Sequence, residues 1–171
     1  MKLLTKKTLT IWALVISLLV PSLALADHQS YVLSSVPIEI AGHNKVANNG
    51  QFVTFAAGQT GTFYLRASLI NTTATTCGNQ IDWNNLKLVT DDNSNSTSVS
   101  ATLFRLDLTN PGAGTATAIA TVTSSNAAGI HANTVAFNHT FDFCNNAYYV
   151  RVTVTRTGTA ANVAAYAIQV F

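Results

Sequence analysis

The sequence predicts an all-β protein: a single antiparallel β-sandwich of Greek-key or jelly-roll type, with about eight or nine strands, after an N-terminal signal peptide. Three observations predict it. Apolar residues recur with a period of two along most of the chain after residue 26. No stripe of helical period appears in that region. The alternating runs are separated by short turns rich in Asn, Gly, Ser and Pro.

The first element is the leader. Lys2, Lys6 and Lys7 give it a positive start, and Leu9–Val20 is apolar apart from Thr10 and Ser17. Pro21 breaks a helix, and Ala24-Leu25-Ala26 sets small residues where a signal peptidase accepts them. Residues 1–26 are expected to be cleaved, leaving one domain over 27–171. An uncleaved anchor is the alternative, but its apolar stretch is shorter than the roughly 20 residues that span a bilayer. No Cys lies near the cleavage position, so the product is expected to be released to the periplasm, the cell surface or the medium.

From Asp27 onward the chain carries six Lys and Arg against seven Asp and Glu. A near-neutral surface has no basic footprint for nucleic acid or an anionic membrane. The basic character of the whole chain comes from the leader.

The strands follow in order. Tyr31–Ile40 alternates but contains Pro37, which suits an edge or exchanged strand. Gln51–Ala56 is short. Thr62–Ile70 sets Phe63, Leu65, Ala67 and Leu69 against Tyr64, Arg66 and Ser68. Ile81–Thr90 changes parity at Asn84-Asn85, and Ser98–Thr109 changes parity between Ala101 and Phe104; a one-residue slip of this kind predicts a β-bulge at each point. Thr115–Thr123 comes next. Val135–Phe143 places Val135, Phe137, Phe141 and Phe143 on one side. Tyr148–Thr157 is the clearest strand, with Tyr148, Val150, Val152 and Val154 inward and Tyr149, Arg151, Thr153 and Thr155 outward. Asn162–Phe171 closes the series.

Cys77 and Cys144 are the two cysteines. In an oxidising compartment such a pair is expected to form one structural disulfide, because neither a Cys-x-x-Cys redox spacing nor a zinc set is present. Asp91, Asp92, Asn93 and Asn95 form the one cluster of hard oxygen ligands, a candidate calcium loop. It departs from an EF-hand at Ser96 and Thr102, where Gly and Glu are required, and a polar turn is the plainer reading. No other cofactor is expected. His28, His43, His131 and His139 form no metal-binding spacing, and His139 reads as a residue on or beside the buried face.

No Gly-x-Ser-x-Gly elbow is present, and nothing points to a pair of catalytic carboxylates, so the chain is expected not to be an enzyme. Trp83, Tyr64 and Tyr149 are the aromatics that could stack on a sugar if they face solvent, although Trp83 next to Ile81 suits a core. The favoured function is a non-catalytic extracytoplasmic module with a protein or glycan partner. The first alternative is a self-assembling fibre or matrix subunit that exchanges the Tyr31–Ile40 strand. The second is a small outer-membrane barrel, which the parity of Tyr166, Ile168 and Val170 against Phe171 opposes.

Overall fold

The computed structural model describes residues 28–71, 81–109 and 116–171. The leader with its cleavage point, Cys77 and the segment Asn110-Pro111-Gly112 lie outside the described residues. Ten strands form among the described residues: β1 (Gln29–Val32), β2 (Val46–Asn48), β3 (Val53–Phe55), β4 (Gly61–Leu69), β5 (Asn85–Asp92), β6 (Thr97–Asp107), β7 (Thr117–Thr123), β8 (Ala127–Ala136), β9 (Asn146–Arg156) and β10 (Val163–Val170). They make two sheets. One runs β2-β3-β10-β5-β8 with β1 also paired to β10, and the other runs β4-β9-β6-β7. Every strand pairing is antiparallel. The sheets are separate layers over one apolar core, so the expected sandwich is observed and the barrel alternative is not.

Period-two patterning builds that core. Phe63, Leu65, Val99, Leu103, Val150, Val152 and Val154 from one sheet meet Val53, Leu86, Leu88, Ile168 and Val170 from the other, all of them fully or almost fully buried. Each such side chain stabilises the fold by roughly 1.5–3 kcal/mol through burial. The opposite faces carry Thr, Ser, Asn, Tyr and Arg.

The Tyr31–Ile40 segment is not one strand. Its first part, within β1, pairs with β10 through Tyr31↔Ile168. The chain then turns through a 3-10 helix at Leu33–Ser35 and crosses to the other sheet. There Ile38 bridges Leu65, the Arg66 amide donates to the Pro37 carbonyl (3.2 Å), and the Glu39 amide donates to the Tyr64 carbonyl (2.9 Å). Pro37 lacks an amide hydrogen, and it sits where only its carbonyl is used. A second 3-10 helix, Ile40–Lys45, follows.

Both expected bulges have counterparts, though only one lies on the expected strand. At Asn84-Asn85 the two successive amides donate to the single carbonyl of Phe171, both at 2.9 Å, which is two residues opposing one. At Leu103/Phe104 the register shifts, but the extra residue is Ile119 of β7, and β6 pairs with β9 without interruption. Phe104 and Leu106 therefore continue the outward face of β6 instead of entering the core. A further bulge was not expected: Ala165 and Ala167 pair with Thr90 and Val89, leaving Tyr166 as the extra residue of β10.

The Val135–Phe143 expectation is corrected as well. The strand is Ala127–Ala136, and its pairing with β5 ends at Ala136. Phe137, Phe141 and Phe143 then leave the sheet in a loop that folds over Trp83 and Tyr148. The aromatic spacing that looked like a strand belongs to rings packed at the end of the sandwich, where area burial decides their position. The turn between β7 and β8 is Ser124–Asn126, and Gly129 takes φ +90° at a shift of register within β8.

Candidate functional site

The outer face of the four-stranded sheet brings together three half-buried aromatic side chains and two arginines. Two strands carry the same outward triplet, Tyr64-Leu65-Arg66 on β4 and Tyr149-Val150-Arg151 on β9. In each, the middle residue is fully buried and fixes which way its neighbours point. The strands are antiparallel with Arg66 directly opposite Arg151, so each tyrosine lies diagonally beyond the arginine of the other strand. The pairs then cross. The Arg66 guanidinium carbon is 4.7 Å from the centre of the Tyr149 ring, and that of Arg151 is 5.5 Å from the centre of Tyr64. Such contacts hold the long side chains flat along the sheet.

Phe104 of β6 completes the patch. It faces Tyr149 across the β6–β9 pairing, the two rings stack at 5.2 Å with 17° between their planes, and Arg151 also lies 4.9 Å from the Phe104 ring. Glu39, delivered along the outer edge of β4, meets Arg66 at 2.9 Å. Around these lie hydroxyls: Thr62 with Thr155 at 3.1 Å and Thr102 with Thr121 at 3.0 Å. The result is a half-buried platform of three rings and two guanidinium groups, edged by hydroxyls.

Of the sugar-stacking candidates, Tyr64 and Tyr149 are brought together on this platform and Trp83 is not. Trp83 is 2% exposed and packs edge-on against Phe141 at 5.2 Å, at the end of the core. Phe104 is hidden in the sequence by the apolar parity change along β6, which implies an inward side chain, whereas the unbroken pairing with β9 keeps it outward. The repeated Tyr-x-Arg triplet was the signal that could have found the site.

The candidate calcium residues do not converge. Asp91 and Asp92 alternate on β5 and face opposite sides of the sheet. Asp92 is buried between the sheets, where the hydroxyls of Thr97 and Ser124 donate to its two oxygens. Asp91 lies on the outer side, with Oδ1 buried and without a hydrogen-bond partner. Asn93 and Asn95 are exposed in the turn. Among the described residues no group of three or more His, Cys, Asp or Glu is placed to hold a metal. Cys144 is half-buried in the turn before β9 and is bonded to no other cysteine among the described residues; Cys77, its expected partner, lies outside them.

Two concavities accompany the platform. One of about 350 Å³ lies between β3, β10 and β5 and is lined by Phe52, Thr54, Asp91, Arg156 and the bulged Tyr166. The other, about 190 Å³, lies beside the aromatic loop and includes Asp82, Trp83, Asn84 and His139. The His139 ring is 3.3 Å from the Tyr148 hydroxyl through Nε2, and burial, helped by the charge of Arg105, holds its pKa below the usual 6.5.

No family model matches this sequence, and no curated protein matches it either. Solved structures do share its fold. The chain is similar to the CBM36-1 domain of a multidomain xylanase from the hindgut metagenome of Trinervitermes trinervoides, with a TM-score of 0.50, 11% identity, and 85% of this chain and 97% of that one covered. A carbohydrate-binding module CBM36 in complex with calcium and xylotriose gives a TM-score of 0.49 at 11% identity, covering 84% and 99%. The xylan-binding module CBM15 gives 0.46 at 15% identity, covering 84% and 95%. At 11% identity the likeness to the CBM36-1 domain is one of fold. No helix among the described residues is long and apolar enough to cross a membrane.

Proposed function

We propose that this protein is an exported, non-catalytic glycan-binding module, and that the platform of Tyr64, Phe104 and Tyr149 is its binding face. A shared fold does not assign a function. The reading is carried by the rings themselves: three aromatics lie on an outer sheet face, where burial in the core does not explain them. Pyranose rings present flat C–H faces that pack on such rings, and the neighbouring threonine hydroxyls and guanidinium groups supply hydrogen bonds to sugar oxygens. Glycoside hydrolysis needs two carboxyl groups flanking the bond, whereas Glu39 is the one carboxylate described at the platform, and it is engaged by Arg66. The leader expected at residues 1–26 supports a role outside the cytoplasm.

Affinity electrophoresis of the exported protein across a panel of soluble polysaccharides tests this. Retention by at least one polymer is expected, and Tyr149→Ala should weaken it about tenfold or more in Kd, the scale of one lost stacking contact. Mobility that no polysaccharide alters, or a Tyr149→Ala variant retained as well as the parent, rejects the platform.

A further inference from the structure

We infer that the glycan held here is acidic, a polysaccharide bearing uronic acid carboxylates, and that Arg151 selects for them. The inference rests on the stacking reading above and adds the charge of the ligand. From Asp27 onward the chain has six Lys and Arg, and two of them, Arg66 and Arg151, occupy facing positions on β4 and β9. Like charges opposite one another disfavour strand pairing, so pairing alone does not account for them.

Glu39 neutralises only Arg66. No carboxylate described in the structure lies within ion-pairing distance of Arg151, whose guanidinium rests over the rings of Tyr64 and Phe104. Its Nε is shielded from solvent and has no acceptor. An uncompensated cation therefore sits among stacking rings on a protein that is otherwise close to neutral.

The chemistry that completes this arrangement is a planar anion fixed to a stackable ring. A guanidinium fork pairs with a carboxylate through two parallel hydrogen bonds, a match that a point charge does not provide. A uronic acid offers both parts: its pyranose packs on a tyrosine and its carboxylate reaches the arginine. Single-stranded nucleic acid also combines rings with anions, but it calls for a spread of Lys and Arg that this chain lacks.

The test compares binding of the exported protein to polygalacturonate and to the same polymer after reduction of its carboxyl groups. The reduced polymer is expected to bind about tenfold or more weakly, the scale of one charge-assisted hydrogen bond, and the ratio should shrink as salt is raised. Arg151→Gln should bring the ratio of the two affinities close to one. Glu39→Gln, a substitution at a half-exposed residue, releases Arg66 and should raise that ratio. Equal binding of both polymers by the parent overturns the acidic assignment and leaves the stacking reading standing. Binding to neither polymer, nor to any other in a broad panel, overturns both. Dextran sulfate or a single-stranded oligonucleotide held as tightly as polygalacturonate overturns it in favour of general anion binding.

Discussion

His139 lies edge-on to Phe141 and Tyr148, at 5.1 and 5.6 Å between ring centres, and its depressed pKa has a consequence for stability. The unfolded chain binds a proton at this residue more readily than the folded one. Its contribution to the folding free energy is therefore flat above the usual 6.5 and is lost progressively as the pH falls below it. The urea midpoint should drop between about pH 7.5 and about pH 5.5, and the drop should be smaller in His139→Asn. An identical pH profile in parent and variant rejects this role. The position of His139 beside the buried face was legible from its register with Phe137 and Phe141, although the strand that carried that register is a loop. Tyr64 and Tyr149 were legible for a sounder reason: the fully buried Leu65 and Val150 beside them leave an outward side chain no other direction. The crossing of the arginines was not legible, because it depends on which residues of β4 and β9 face each other, and one strand does not reveal its partner's register.

At the scale of elements, β10 has one edge shared by two strands. β1 covers the half from Ala167 to Val170, and β3 covers Ala164 and Ala165. β1 is tied in place by its side chains as well. The Gln29 side chain exchanges hydrogen bonds with the backbone of Ile70, and the Tyr31 hydroxyl lies within bonding distance of two acceptors, Gln29 Oε1 at 2.9 Å and the Ser68 carbonyl, sharing its one hydrogen between them. Deleting Gln29–Val32 bares half of that edge, and an unpaired edge recruits another strand. The truncated protein should self-associate on size-exclusion chromatography at concentrations where the parent elutes as a smaller species. Unchanged elution would show that the edge is protected in another way. Strands with an apolar side facing the core were readable, β4, β9 and β10 above all. β8 was not, because Ala127–Ala136 is exposed along most of its length and offers no hydrophobic alternation. The bulge of β7 was mislaid onto β6 because both strands feel the same shift of register, and only pairing shows which one holds the extra residue.

For the whole molecule, the two-layer fold followed from patterning and turn chemistry, which need no knowledge of strand order, whereas the order itself is set by long-range pairing. The proposed Cys77–Cys144 crosslink belongs to this scale, since it would join the segment after β4 to the turn before β9. Protein recovered after export should titrate no thiol when unfolded, and reduction should cost it about 4 kcal/mol of stability in the chain-entropy model. Two titratable thiols would reject the crosslink. The pairing of β4 with β9 has a kinetic side too. Thr62 and Thr155, whose hydroxyls meet, are 93 residues apart in the chain. Half of the central ladder must wait for that distance to close, so folding should run on the slow side for a domain of this size, in milliseconds to seconds. During that interval the Val150–Val154 run remains uncovered, and a cell that makes this protein must keep it from aggregating until its partner strand arrives.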